Sequence, residues 1–213
     1  MKRIIGVDES GKGDFFGPLV VGGILIPDSA IPELTSLGVR DSKTLSDKRA
    51  LELDTILRER YPHALAVLLP VEYNPVYKSI RNLNILLARQ HAAVITELFK
   101  NHGADLAISD KFGKPEHIEK ALAETGCLIE VKQIVRGESI PQVAAGSIIA
   151  RARFLREMSN LSDQVGVILP KGAGSPVDIV GRKLVSQFGP KVLDQVSKTH
   201  FKNYARSLAI KAL

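Results

Sequence analysis

The chain has 213 residues, 45% apolar and 24% charged, with a formal net charge of +6. That suits one globular domain and excludes a disordered or fibrous class. No apolar run approaches the roughly 18–20 residues that span a bilayer, and MKRIIGVDES lacks a secretory core, so a cytoplasmic location is expected. Excess Lys and Arg favour a polyanionic partner, whereas only 5% aromatic residues and no Trp argue against a base-stacking platform.

The first third reads as strands. KRIIGVD is apolar and ends on acids, GPLVVGGILI is a continuous apolar run after a Gly-Pro turn, and ALAVLLP is a third candidate. Continuous runs predict a sheet buried on both faces. Between the second and third, DSKTLSDKRALELDTILRER has helical Leu/Ile spacing, with Ser46 as a candidate N-cap. Residues 81–101 predict a long amphipathic helix ending near Gly103. ADLAISD then predicts a strand, KPEHIEKALAETG a helix, and CLIEVKQIV a strand that holds the lone cysteine, Cys127, as a buried thiol. This is a βαβ unit with parallel strands. PQVAAGSIIARARFLREMS predicts a helix packed closely through small residues, and the last fifty residues predict short helices. The expected architecture is α/β: three early antiparallel strands, a parallel extension, and a helical C-terminal part from about residue 170.

Residues 6–13, GVDESGKG, fit the start of a phosphate-binding P-loop. A working P-loop needs Ser or Thr after the Lys and a helix beyond it. Here Gly13 follows Lys12, and Pro18 leads into an apolar run that predicts a strand. Asp8 and Glu9 would also repel the phosphates, so the nucleotide-binding reading is set aside.

The acids carry more. Asp8 and Glu9 end the first strand, Asp110 ends ADLAISD, and Glu138 follows CLIEVKQIVRG. Adjacent strand residues point to opposite faces, but a strand end or bulge can turn both acids toward one site. Sites in open α/β sheets form beyond the carboxyl ends of strands. Four carboxylates gathered there repel one another unless cations sit among them, and hard oxygen donors select Mg2+ or Mn2+. On a basic protein this constellation suggests two-metal phosphodiester hydrolysis.

These residues resemble the type 2 ribonucleases H, and within them ribonuclease HIII. GVDESGKGDFFGPLVVGGILI, DSKTLSDKR, NLNILLARQH, ISDKFGKP and VAAGSIIARARFLREM follow the order and spacing of that family. DFFGP and THFKNYA are more similar to ribonuclease HIII than to HII. The resemblance implies a ribonuclease H-like fold, a mixed five-stranded sheet flanked by helices. It implies an endonuclease that cuts the RNA strand of RNA/DNA hybrids to 5′-phosphate and 3′-hydroxyl products with Mg2+ or Mn2+. An alternative is an HII-like enzyme that also cuts at single ribonucleotides in duplex DNA.

The resemblance assigns Asp8, Glu9, Asp110 and Glu138 as the metal-binding acids, with Glu130 the runner-up for the last. It assigns Gly11, Lys12 and Gly13 to the nucleic-acid backbone, where glycine allows close approach and successive 2′-hydroxyls can be tested. Ser42 and Lys43 are candidate phosphate contacts, against a plain helix-start turn that includes Asp41. Asn82 and Asn84 are candidate backbone contacts, against helix capping. Ser147 and Arg151 are candidates for reaching the DNA strand, while Ala144, Ala145 and Gly146 read as packing. His91, His102, His117 and His200 read as surface residues, and Lys198, Lys202, Arg206 and Lys211 as a solvated helix face or an extended substrate track. Two departures stand out. The first strand starts at Arg3, without the family's usual N-terminal substrate-binding domain, so weaker binding is expected. GVILPKGAGSPVD also lacks the tyrosine that HII enzymes use at junctions, leaving Tyr204 as a substitute. A monomer is expected.

Overall fold

The structure is a computed structural model and describes residues 2–209. Five strands form one mixed sheet: β1 (Arg3–Ser10), β2 (Leu19–Pro27), β3 (His63–Leu68), β4 (Leu106–Asp110) and β5 (Val131–Ile134), in the order β3-β2-β1-β4-β5. β1 and β2 are antiparallel and in regular register, from Arg3 opposite Pro27 to Ser10 opposite Val20. β4 is parallel to β1, and β5 to β4. The Gly-Lys-Gly segment therefore connects two strands, and no helix follows it.

The helices are α1 (Ile31–Ser36), α2 (Asp47–Arg60), α3 (Pro70–Ile80), α4 (Leu83–His102), α5 (Pro115–Glu124), α6 (Pro141–Val165), α7 (Ser175–Phe188), α8 (Val192–Val196) and α9 (Lys202–Leu208). Ser46 caps α2 by accepting the Arg49 N–H at 3.1 Å, as its position predicts. α3 is not evident in the sequence because Pro70 and Pro75 lie within it. Pro70 stands in the first turn, where its missing N–H costs nothing. The strand expected over residues 127–135 shortens to Val131–Ile134. Cys127 belongs to the turn that closes α5, its N–H donating to the Leu122 carbonyl at 3.1 Å, and it is buried there.

The chain forms two compact units, one of Met1–Ser10, Val20–Ala66 and Asn82–Ala152, the other of Gly11–Leu19, Val67–Arg81 and Arg153–Leu213. In the first, glycines bring α6 onto the sheet backbone to backbone. A methyl at Gly6 would lie 2.1 Å from the Gln142 carbonyl, one at Gly22 2.7 Å from the Ala150 nitrogen, and one at Gly146 2.7 Å from the Gly6 oxygen. Ile24, Ile26, Leu53, Leu57, Ile148 and Ile149 fill the space between α2, α6 and β2. Each such buried side chain contributes roughly 1.5–3 kcal/mol. α4 covers the other face, with Val94 pressed against Gly23.

In the second unit, residues 14–17 are fastened to the segment before α9. Phe16 bridges to Ser197, the Gly17 N–H donates to the Val196 carbonyl at 2.9 Å, and Phe15 packs 6.3 Å from Phe201, ring centre to ring centre. Lys198 corrects the sequence expectation of a solvated face. It is fully buried, and its Nζ donates to the carbonyls of Asp14 and Gly17 at 2.8 and 2.7 Å. Those carbonyls need donors inside the fold, which an ammonium supplies. Burial pushes the Lys198 ammonium down to about 7, against the opposing pull of Asp14. Lys202 and Arg206 are exposed as expected; Lys211 lies outside the described residues.

Candidate active site

Asp8 stands near the end of β1, one step beyond the Val7–Ser109 pair, and so level with Asp110 on the neighbouring parallel strand. Residues level on parallel strands share a face, the face that α6 covers. Asp8 is buried, and its Oδ1 accepts the Glu9 N–H at 2.8 Å. Burial pushes its acid up to about 7, and the charges of Glu9 and Asp110 push the same way. Hydrogen bonds from Ser147 and the Glu9 backbone pull it down. The close approach of α6 is what brings Ser147 to Asp8.

Ser147 also shares a hydrogen bond with Ser42, 2.7 Å between hydroxyl oxygens. Arg151, one turn later, donates to the Ser42 carbonyl and to Asp47 at 2.7 Å. The turn at Ser42–Thr44 is thereby tied to α6, and Ser42 and Ser147 are both buried. Asp41 accepts the Lys43 N–H at 2.9 Å, and the Lys43 side chain is exposed.

Asp110 Oδ1 accepts the Gly137 N–H at 2.8 Å. A methyl on Gly137 would sit 3.0 Å from the Asp110 Cα. The turn after β5 therefore lies flat on the end of β4 and sets half-buried Glu138 beside it. Glu130 is at the opposite end of β5, exposed and paired with Lys132 at 3.2 Å.

Glu9 turns the other way. No bulge interrupts β1, so alternation sends its side chain to the α4 face. There Glu9 Oε2 lies 3.2 Å from His91 Nε2, and His91 Nδ1 lies 3.0 Å from the Ser109 hydroxyl, which donates to the Asp110 carbonyl at 2.8 Å. His91 is wholly buried against Phe112, which corrects the expected surface placement. The signal was its spacing: His91 falls in the stripe of Leu87, Ala88, Val94 and Ile95. Groups that orient metal-binding carboxylates typically carry 10- to 100-fold of metal affinity or activity. His91→Asn is expected to lose about that much Mn2+ affinity by calorimetry, with partial recovery in His91→Gln.

Among the described residues, no three carboxylate, imidazole or thiolate groups close into a coordination sphere. The donor chemistry nevertheless fits a divalent cation. Asp8, Glu9, Asp110 and Glu138 offer only hard oxygen atoms, and a cation among them would offset the burial, and then the carboxylate charges, that raise the Asp8 acid.

The other predicted residues divide by environment. Gly11 is committed to its own loop: its φ is +85°, and a methyl there would sit 2.1 Å from the Pro18 carbonyl oxygen. Gly13 is exposed with nothing within 4 Å of a would-be methyl, and Lys12 between them is half-buried. Asn82 caps α4 by accepting the N–H groups of Asn84 and Ile85 at 3.0 and 3.3 Å, and Asn84 packs on Gly113. His102 is exposed and His117 half-buried. In the second unit, His200 stacks on Tyr77, 4.1 Å between ring centres. His200 is exposed at the surface as expected, and partial burial of its ring, then the Lys198 charge, lowers it to about 4. The Tyr204 hydroxyl donates to Asp194 at 2.9 Å.

The description of ribonuclease HII matches residues 5–204. The chain belongs to the ribonuclease HII family. Ribonuclease HIII of Chlamydia felis (strain Fe/C-56) is 41% identical over 203 residues, 94% of this chain and 68% of that protein. Ribonuclease HIII of Protochlamydia amoebophila (strain UWE25) is 37% identical over 198 residues, 93% of this chain and 66% of that protein. The chain thus spans about two thirds of the length of these curated relatives. The crystal structure of Bst-RNase HIII in complex with Mn2+ superposes with a TM-score of 0.92 at 34% identity, over 98% of this chain and 70% of that one. RNase HII of Archaeoglobus fulgidus, solved in a PCNA:RNase HII complex, gives 0.78 at 27% identity, over 99% and 98%. This member of the ribonuclease HII family is therefore a ribonuclease H enzyme with the family's mixed sheet. No helix among its described residues is long and apolar enough to cross a membrane.

Proposed function

We propose that the protein hydrolyses the RNA strand of RNA/DNA hybrids, leaving 5′-phosphate and 3′-hydroxyl ends, with Mg2+ or Mn2+ held by Asp8, Glu9, Asp110 and Glu138. The observation that carries this reading is Asp8: a buried carboxyl crowded by Glu9 and Asp110, with its acid pushed up to about 7. Two bound ions would supply positive charge at the attacking water and at the leaving 3′ oxygen. The chain's own residues hold the acids. Ser147 bonds to Asp8, the Gly137 amide fixes Asp110, and His91 faces Glu9. Water is the nucleophile, so no protein nucleophile is required.

Substrate contacts fall to Gly11–Lys12–Gly13, Ser42, Lys43, Asn82 and Ser147. Gly13 has open space and Lys43 is exposed, which supports direct contact at these two. Ser42 and Ser147 are bonded to each other, which supports a role through the shape of their turn. A cytoplasmic location, which the single free cysteine, Cys127, supports as suited to a reducing compartment, and a monomeric state complete the proposal.

The test is cleavage of three labelled substrates in Mg2+ and in Mn2+: a long hybrid, a duplex with one ribonucleotide, and duplex DNA. The hybrid is expected to be cut fastest. The single-ribonucleotide duplex is expected to be cut poorly, since the Tyr204 hydroxyl is engaged by Asp194. Equal cleavage of duplex DNA would remove the reading.

A further inference from the structure

We propose that Arg40 and Arg136 form a phosphate clamp beside Glu138 that grips the phosphodiester backbone of the strand being cut. This rests on the hybrid-cleavage reading above and extends it to two side chains outside the acids and the glycine loop.

The first unit contains a cavity of about 340 Å3 lined by Val39, Arg40, Asp41, Arg136, Glu138 and Pro141, among others. The two arginines reach it from different segments. Arg40 precedes the turn at Ser42–Thr44, and Arg136 opens the turn after β5. Both are exposed, and neither guanidinium has a hydrogen bond or ion pair among the described residues. Six arginines, Arg49, Arg58, Arg60, Arg151, Arg153 and Arg206, pair with acids; among the described residues exposed Arg89 and Arg182 do not, but only Arg40 and Arg136 line the cavity beside Glu138.

Among the described residues, neither acid in the cavity forms an ion pair with an arginine. Asp41 is used within its own turn, accepting the Lys43 N–H, and Glu138 is read as a metal ligand. Arg136 also has a φ of +57°, a left-handed conformation that disfavours any side chain. The glycine that would adopt it freely is the next residue, Gly137, whose amide is committed to Asp110. The left-handed conformation, which Arg81 shares elsewhere, sets a long cation two residues from Glu138. Paired guanidinium groups around a cavity suit a phosphodiester oxygen, which they bind through a planar fork.

The experiment compares wild type, Arg40→Ala, Arg136→Ala and Arg136→Lys, with exposed Lys183→Ala on α7 as a control of equal charge. KM and kcat on the hybrid are measured across salt concentrations. Each arginine-to-alanine change is expected to raise KM about three- to tenfold, with the loss falling on KM rather than kcat, and to reduce the salt slope by about one. Arg136→Lys is expected to keep the slope, and Lys183→Ala to leave KM alone. Hybrids with one neutral methylphosphonate linkage then locate the contact. At one RNA-strand position near the cut, the neutral linkage should weaken wild type and leave Arg136→Ala unaffected.

Unchanged KM and slope in both alanine variants of an active enzyme would overturn the clamp alone. So would a penalty confined to DNA-strand linkages. A wild-type enzyme that leaves the hybrid intact would remove the hybrid reading and the clamp with it.

Discussion

Asp8→Asn is expected to lower the rate of hybrid cleavage by at least about 10³-fold while leaving the fold and hybrid affinity near wild type. Asparagine keeps the shape and can still bond to Ser147, so α6 has no reason to move. It removes the charge around which the site is arranged. Stability separates this from damage to the fold. Burial raises the Asp8 acid above its unfolded value of 3.8 to about 7. The stability linked to its protonated form is therefore full below the unfolded value and is lost as pH rises through about 7. Asparagine does not titrate. Without metal, the variant is expected to gain on wild type in melting temperature between pH 5 and pH 8. Added Mn2+ should reverse the order, because an ion that binds only the native wild type stabilises it.

Gly6→Ala is expected to cost about 3 kcal/mol or more and to reduce activity as well. The added methyl would lie 2.1 Å from the carbon and oxygen of the Gln142 carbonyl, backbone atoms that cannot swing aside as a side chain does. α6 must lift from β1, and Ser147, on the same helix, is drawn from Asp8. Gly13→Ala is the contrast. Its methyl meets nothing within 4 Å, so the melting temperature should hold while hybrid cleavage falls. Chemical denaturation of both variants, with hybrid cleavage measured alongside, checks the pair. A Gly6→Ala protein as stable as wild type would contradict the packing account.

Much of this was legible in the chain itself. The apolar runs ending on acids gave the strands, and the strand–helix–strand spacing gave the parallel pairing of β4 with β5. The small residues of PQVAAGSIIAR marked the tight helix, although the partner glycines Gly6 and Gly22 are far away in sequence. The misses share a cause. His91 and Lys198 are polar, and their burial depends on partners distant in the chain: Glu9 lies 82 residues from His91, and Asp14 lies 184 from Lys198. Composition assigns such residues to the surface because burying them costs energy unless a partner is supplied. The expectation that a strand end or bulge turns Asp8 and Glu9 to one site also gives way, because β1 stays regular through Ser10 and sends them to opposite faces, toward Ser147 and toward His91.

The central claim is that these acids hold the divalent ions that hydrolysis needs. Its most direct test is a titration of Mn2+ into wild type, Asp8→Asn and Glu138→Gln, followed by electron paramagnetic resonance, with hybrid cleavage measured in parallel with and without excess chelator. The account predicts Mn2+ binding by wild type, weakened in both variants, and no cleavage in chelator. Equal Mn2+ binding by all three proteins, or cleavage that persists in chelator, would contradict it.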